Sequence, residues 1–345
     1  MTIAILFGSV SFEHEISIVS AISMKKVLKE KLLYIFIDKN REFYLIPTEK
    51  IKSNLFSSGE YKKFDQLQLT NNGFIKKSLF GTKFIDFDVV LNLVHGGDGE
   101  DGVLAGLFKF YNIPFIGPRV EAGVISCDKY ITKSYSANCD VKTLPCQYFD
   151  KTSDIKIEKY PCIIKPTKLG SSIGVSVVKN EDELAYALDI AFEYDDTIIA
   201  EPFINGVKEY NLAGTKVDGK FYFSIVEEPE KDEFLDFDKK YLDFNRTQKV
   251  SCADLSDKMI EKLQENFIKI YNNTFNGSLI RCDFFVIEND IYLNEINSIP
   301  GSMANYLFDD FNDLIVKLSQ SLPTNKKINI NYEYVNKIQS AKGKV

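Results

Sequence analysis

The stretch "DVVLNLVHG", residues 88–96, is an apolar run that stops at a glycine. A strand covered on both faces needs such a run, because neither face meets water. "TIAILFG" (2–8) has the same form, and "LLYIFID" and "FYLIP" are further strand-like runs. Between them, Ile16 to Leu28 and "GVLAGLFKFYN" (102–112) space their apolar residues as helices do, and "IPFIG" follows. Buried strands alternating with helices predict an α/β arrangement, a doubly wound parallel sheet. Loops at the carboxyl ends of such strands carry ligands. Two polar segments fall there: "GSVSFEHEIS" after the first strand and "HGGDGEDG" (95–102) after the later one.

Near Pro118 the pattern changes. Residues 119–138 read as a helix, followed by short strands in "QYF", "PCIIKP" and "GVSVVK", a helix over 181–192 and the strand "TIIAEPF". From about residue 206 come strands "KEYNLAGTKV" and "KFYFSIVE", a charged loop over 228–250, a helix over 256–271 and two strands around Glu288-Asn289-Asp290. A helix over 306–321 and a peripheral Lys/Asn-rich tail close the chain. At 345 residues the chain suits two or three domains.

Composition excludes several classes. A net charge of -7 offers nucleic acid no broad basic surface. No apolar run reaches membrane-spanning length, and the opening "MTIAILFGSV" lacks the basic start of a signal peptide, so it reads as a buried strand. The six cysteines form no C-x-x-C pair and the only histidines are His14 and His95, so a Cys/His zinc site and a disulfide framework both fit poorly. Reduced thiols in a cytoplasmic protein are the expectation. Ile18 breaks the H-E-x-x-H pattern that His14-Glu15 begins.

The chemistry concentrates in three segments. In "LIRCDFFVIEND" and "LNEINSIPGS", Arg281 and Asp283 share one strand face, as do Glu295 and Asn297. A hairpin with a three-residue loop (288–290) would set Asp283 opposite Glu295 and Arg281 opposite Asn297. An even loop without a bulge would break that register. Opposed carboxylates repel unless a cation lies between them, and Mg²⁺ is held by one or two carboxylates plus nucleotide phosphates. A solvated polar sheet face would look the same from these residues alone. The second segment, "IIKPTKLGSSIGVSVV" (163–178), is a Gly/Ser loop after Lys165 whose backbone N–H groups can cradle phosphate. It is neither a P-loop nor a G-x-G-x-x-G turn. In the third, "IIAEPFINGVKEYN" (198–211), Glu201 ends an apolar strand, where an acid needs a partner such as an adenine amino group.

Taken in order, "FGSVSFEHEIS", "HGGDGEDG", "CDKYITK", "IIKPTKLGSSIG", "AEPFINGVKEY", "KKYL", "RCDFF" and "NEINSIPG" resemble the D-alanine–D-alanine ligase family of the ATP-grasp superfamily, over residues 3 to about 308. The resemblance implies an N-terminal domain (1–120), then a two-part ATP-grasp fold, central (121–205) and C-terminal (206–345), with ATP between the last two. It implies Lys129 and Lys165 at nucleotide phosphates, with the loop Gly170, Ser171 and Ser172. Glu201 and Ile204 match the adenine hinge and Glu209 the ribose acid. Asp283, Glu295 and Asn297 match the ligands of two Mg²⁺ (or Mn²⁺). Glu13, with His95 nearby, matches the acid that holds the first D-alanine, and Ser171 and Tyr241 match residues hydrogen-bonded to that acid. Arg281 and the Gly301 N–H match the oxyanion pair, and loop 228–250, with Lys240 and Tyr241, is the candidate lid. A homodimer through the N-terminal domain is also implied.

One departure concerns the second substrate. Relatives carry a serine five residues beyond "PG" for its carboxylate, whereas this chain has Tyr306, whose hydroxyl could replace it. Leu169 likewise stands where some relatives carry an acid. Ligases that take D-lactate or D-serine second remain the nearest alternative, although Tyr241 resembles the dipeptide-forming branch. A non-catalytic nucleotide-binding module would not require Arg281, and an oxidoreductase would need the missing dinucleotide turn.

Overall fold

The structure, a computed structural model, describes residues 1–79, 81–229, 251–324 and 326–342. Its first sheet contains β1 (Thr2–Gly8), β2 (Lys31–Ile37), β3 (Phe43–Ile46), β4 (Asp65–Thr70), β5 (Gly73–Ser78), β6 (Gly81–Ile85), β7 (Val89–Asn92) and β8 (Phe115–Ile116), in the order β6-β5-β4-β3-β2-β1-β7-β8. Strands β2, β1, β7 and β8 run parallel. The sheet then continues through antiparallel pairs from β2 to β6. "FYLIP" therefore joins an antiparallel extension, which its short half-buried pattern permits.

Alternate side chains of β1 enter two cores. Ile3, Ile5 and Phe7 pack under α1 (His14–Val27), among Ile18, Ala21 and Met24. Leu55 and Phe56 of α2 (Ser53–Ser57) join that core, while Ala4 and Leu6 pack on the other face with Leu104, Ala105 and Phe108 of α3 (Val103–Phe110). Helices thus cover both faces, as continuous apolar strands demand. The expected helix over 119–138 is broken into α4 (Val120–Cys127) and α5 (Lys129–Asn138). Asp128 causes the break: its carboxylate accepts from the N–H groups of Tyr130 and Ile131, an N-cap that restarts the helix at Lys129.

The second sheet, ordered β11-β10-β12-β9, contains β9 (Gln147–Asp150), β10 (Cys162–Pro166), β11 (Ser176–Val178) and β12 (Thr197–Pro202). It packs against α6 (Leu184–Tyr194) in a small core of its own. The third, ordered β14-β13-β15-β16, contains β13 (Lys208–Val217), β14 (Lys220–Glu227), β15 (Ile280–Ile287) and β16 (Asp290–Asn297). It carries α7 (Asp257–Tyr271), capped by Ser256. The expected helix over 306–321 begins later, as α8 (Phe311–Gln320), because residues 301–307 form a tight 3₁₀-type turn. The tail helix α9 (Glu333–Lys342) is exposed. Among the described residues no helix is long and apolar enough to cross a membrane. None of the six cysteines is bonded to another.

Gly8 ends β1 at φ 96°, and a Cβ there would lie 2.3 Å from the carbonyl oxygen of Ile37. Only glycine fits such a position. Gly8→Ala should therefore cost at least ~2 kcal/mol in denaturant unfolding, combining backbone strain with a backbone clash.

Candidate active site

The hairpin of β15 and β16 does not use the expected three-residue loop. Glu288 and Asn289 form a two-residue turn, with φ of 50° and 72°. Positive φ at both central residues matches the twist of a hairpin. Alone, this turn would misalign the polar ends by one residue. The register shifts between Asp283 and Phe284, with Asn294 as the extra residue, and Asp283 then pairs with Glu295 and Arg281 with Asn297. The bulge also aims Asn294 at Lys165, whose Nζ donates to Asn294 Oδ1 at 3.4 Å. The same row continues across the sheet, since Asp283 pairs with Asn211 and Asn211 with Glu227.

Arg281 neutralises part of this row. Its Nε and Nη2 donate to the two oxygens of Asp283 at 2.6 and 2.8 Å, and Asn297 Nδ2 donates to Asp283 Oδ2 at 2.9 Å. Burial still pushes the Asp283 carboxyl up to about 7, against Arg281 and aided by Glu295. Beside it, Asn211 Oδ1 is buried with no hydrogen-bond partner among the described residues. An orphaned oxygen next to opposed carboxylates is short of positive charge. Among the described residues, no three His, Cys, Asp or Glu side chains are arranged to hold a metal on their own. Asp283, Glu295 and Asn297 thus fit Mg²⁺ that arrives with phosphate and water ligands, and they do not form a self-sufficient cage.

Glu13 stands at the carboxyl end of β1, just before α1. Ser171 Oγ donates to its Oε1 at 2.5 Å. The carboxylate lies against two glycine backbones: a Cβ on Gly96 would come 2.8 Å from Oε2, and one on Gly170 3.1 Å from Oε1. Burial raises the Glu13 carboxyl, with Ser171 and Lys129 opposing. Glu100 is raised well above the ordinary range by burial and then by the charge of Glu13. The "HGGDGEDG" loop is fixed beside Glu13 by Asp98, which accepts from Ser9 Oγ at 2.7 Å and from Arg41 Nε at 2.8 Å. His95 is buried, its ring lowered to about 4 by desolvation and therefore neutral, with Nε2 2.9 Å from Ser20 Oγ.

At the start of α5, Lys129 Nζ donates to the carbonyl of Leu169. Lys133, one turn on, pairs with Glu201, and Lys165 Nζ lies 2.6 Å from the same carboxylate. Burial alone would raise Glu201, but Lys165 and Lys133 outweigh it and hold the carboxyl below its ordinary value. The acid at the end of β12 thus has two lysines as partners where the sequence suggested a nucleobase. Ser171 and Ser172 take φ of 53° and 60°, so the Gly170 loop is tightly turned, and Ile173 N–H donates to Gly170 O at 3.1 Å. Ile204 and Glu209 are half-buried, and Glu209 borders a cavity of about 610 Å³ beside Gly206, Glu228 and Asp254.

After Pro300 the chain makes a left-handed turn. Ser302, Met303 and Ala304 have φ of 47°, 55° and 50°. Each such non-glycine residue costs about 1–2 kcal/mol, so the turn must be held from outside. Met303 N–H donates to Pro300 O at 2.7 Å, Asn305 Nδ2 to Ser302 O at 2.8 Å, and Ser302 N–H to Ser20 Oγ at 3.2 Å. Tyr306 is buried here, off the helix expected for it, and its hydroxyl donates to Glu227 Oε2 at 3.4 Å. One cavity of about 220 Å³ is lined by Glu13, His95, Ser171, Arg281, Asp283 and Glu295, and reaches Asn297, Gly301 and Tyr306. Lys240, Tyr241 and nearly all of the proposed lid lie outside the described residues.

Residues 2–118 match the family model for the D-ala D-ala ligase N-terminus, and residues 141–311 match that for its C-terminus. The chain belongs to the D-alanine–D-alanine ligase family. It is 59% identical over 346 residues, covering 100% of both chains, to the D-alanine–D-alanine ligase of Sulfurovum sp. (strain NBC37-1). The crystal structure of the Helicobacter pylori ligase aligns with a TM-score of 0.85 and 50% identity, covering 94% of this chain and 100% of that one. The VanG D-Ala:D-Ser ligase of Enterococcus faecalis aligns with a TM-score of 0.73 and 26% identity, covering 92% and 98%. ATP-dependent formation of D-alanyl-D-alanine for the bacterial cell wall is the ligase family's known function, and this chain is an enzyme of that kind.

Sequence reasoning missed Lys133, Asn211, Glu227, Asn294 and Glu100 as parts of this ligase site. Lys133 was within reach, because it lies four residues after Lys129 on one helix face. Its removal has a signed consequence. Lys133→Met should lower stability by about 1–3 kcal/mol near neutral pH by leaving Glu201 half-compensated. Because the Glu201 carboxyl is held below 4.5 in the folded protein, that stabilisation is complete above 4.5 and lost as pH falls through the folded value. The deficit of the variant should therefore shrink in acid, as measured by denaturant unfolding across pH.

Proposed function

We propose that the two cavities divide the reaction between them. The nucleoside of ATP lies toward Glu201, Ile204 and Glu209, and its phosphates lie along Lys129, Lys165 and the Gly170–Ser172 backbone. The smaller cavity holds two D-alanines. What carries this reading is that one space of about 220 Å³ gathers Glu13, Ser171, Arg281, Asp283, Glu295, Asn297 and Gly301 from three sheets and their loops. Its surplus of carboxylates around Glu13 suits an ammonium group. Two Mg²⁺, or Mn²⁺, held by Asp283, Glu295 and Asn297 would supply charge neutralisation along the phosphates.

The chain's own residues then act in sequence. Glu13, oriented by Ser171, holds the first D-alanine by its ammonium. Lys129 and Lys165 steady the γ-phosphoryl group of ATP as it passes to that substrate's carboxylate, giving an acyl phosphate and ADP. The amine of the second D-alanine attacks the acyl carbon, and phosphate leaves. Arg281 and the Gly301 N–H stabilise the tetrahedral oxyanion. Tyr306 turns its hydroxyl from Glu227 to the second carboxylate. Tyr241 and Lys240 belong to the lid that keeps water from the acyl phosphate. The domain limits 1–120, 121–205 and 206–345, a homodimer through the first domain and a cytoplasmic location complete the reading.

Phosphate release and dipeptide formation, compared for D-alanine, L-alanine, D-serine and D-lactate, test it. D-alanine should give one dipeptide per phosphate. Equal turnover with L-alanine, or a preference for D-lactate or D-serine as second substrate, would contradict the assignment.

Two variants probe the roles. Arg281→Ala should lower kcat by ~3–4 kcal/mol of barrier, a few hundred-fold, with little change in KM for ATP. Normal kcat with lost ATP binding would reassign the arginine to the nucleotide. Ser171→Ala removes a bond that favours the ionised form of Glu13, so the Glu13 carboxyl rises further. The acid limb of kcat/KM for D-alanine should then move to higher pH, and an unmoved limb would separate Ser171 from substrate binding.

A further inference from the structure

Three serines lie along one face of α1 at a spacing of three: Ser17, Ser20 and Ser23, all buried. Serine disfavours a helix interior unless its hydroxyl has work elsewhere. Each of these does. Ser17 Oγ accepts from Gly8 N–H at 2.7 Å and donates to Leu93 O at 2.6 Å, fixing α1 to the ends of two parallel strands. Ser23 Oγ donates to Ser20 O at 2.7 Å and lies 3.1 Å from Ser302 Oγ. Ser20 sits between two parts of the site: Ser302 N–H donates to its Oγ at 3.2 Å, and His95 Nε2 is 2.9 Å from the same atom.

We infer that Ser20 is a positioning residue whose hydroxyl joins the His95 imidazole to the backbone of Ser302, holding the left-handed turn that aims the Gly301 N–H at the reacting centre. The inference rests on the reading of Gly301 as an oxyanion donor and adds what keeps that donor in place. The turn runs through three non-glycine residues with positive φ, all fully buried. Ser302 is the first of them and follows Gly301 directly. A bond to its N–H fixes the peptide next to the donor. His95 lines the same cavity as Gly301. Through Ser20, the wall beside the first substrate and the oxyanion turn share one hydrogen-bonded atom. Ser20 touches no substrate; it acts through the two groups it holds.

The test compares Ser20→Ala and the near-isosteric Ser20→Cys with the parent enzyme and Arg281→Ala. Both Ser20 variants should lose ~10–100-fold in kcat, the scale of a small misplacement of a catalytic group. KM for ATP should stay within about twofold, because Ser20 lies outside the nucleotide side. Ala304→Gly in the Ser20→Ala background should recover part of kcat, since glycine takes positive φ without a Cβ penalty. A packing role alone would not respond to that rescue, which removes a further buried methyl group. If Ser20→Ala fails to fold, Ser20→Cys, which retains the volume, must show the same kinetic split. Parent-like kcat in both Ser20 variants, while Arg281→Ala is impaired, overturns the coupling and leaves the oxyanion reading intact. Parent-like kcat in all three overturns the oxyanion reading as well. A joint loss of kcat and ATP binding with a lowered melting temperature and no rescue makes Ser20 structural only.

Discussion

Asp283 and Glu295 face each other across two adjacent strands, and the rest of the site is arranged around that repulsion. The placement depends on one unpaired residue. A two-residue turn at Glu288-Asn289 sets one register, and the bulge at Asn294 changes it by one residue before the polar end of the hairpin. Without that shift, strand alternation would send Glu295 and Asn297 to the opposite face, toward the buried core that holds Ile291, Leu293 and Ile296. Arg281, Asn297 and the neighbouring Asn211 then surround Asp283, yet burial still pushes its carboxyl up to about 7, and Asn211 Oδ1 has no hydrogen-bond partner among the described residues. A sheet arranged in this way has room for further positive charge beside Asp283.

The two ends of the site differ in how their charges are met. Glu201 is buried with Lys133 and Lys165 against it and stays ionised. Glu13 is buried and Glu100 half-buried, Lys129 opposes only part of the effect at Glu13, and both carboxyls are pushed up. Charge is satisfied within the protein where strands must pack, and left wanting where a substrate ammonium is proposed to sit. Lys165 is in direct contact with an acid, whereas Lys129 donates to a carbonyl and is lowered by burial, with the charge of Glu295 opposing.

Period-two and helical patterning made the strands and most helices legible, because each apolar stripe has one face to fill. What escaped was set by single residues whose effect is local geometry. Asp128 broke a helix that periodicity ran through, since α4 and α5 both keep apolar faces on either side of it. The left-handed turn at Ser302–Ala304 was hidden because none of its residues is a glycine, so composition gave no sign of positive φ. The spacing of Asp283, Glu295, Arg281 and Asn297 was readable from alternation, yet the loop assumed for it was wrong and the bulge supplied the missing residue. Lys133 was legible as a neighbour of Lys129 on one helix face, but its pairing with Glu201 was not, because Lys133, Lys165 and Glu201 come from three different elements.

The core beneath β1 is not built from the first part of the chain alone. Ala213 and Val217 of β13, Leu279, and a series from Ile299 to Leu318 enter it. The core of the second sheet, in contrast, draws its buried residues from positions 162–200 only. Recombination among related genes meets different obstacles at these two places. A crossover that exchanges the segment around residues 162–200 carries the buried residues of that core with it, whereas one that starts before Ala122 also takes residues from the core of the third sheet. A crossover near residue 118 divides one core between two parents, so side chains selected against each other no longer meet. The first and last parts of this chain are therefore expected to vary as one inherited unit, while the middle can be exchanged between lineages as a module.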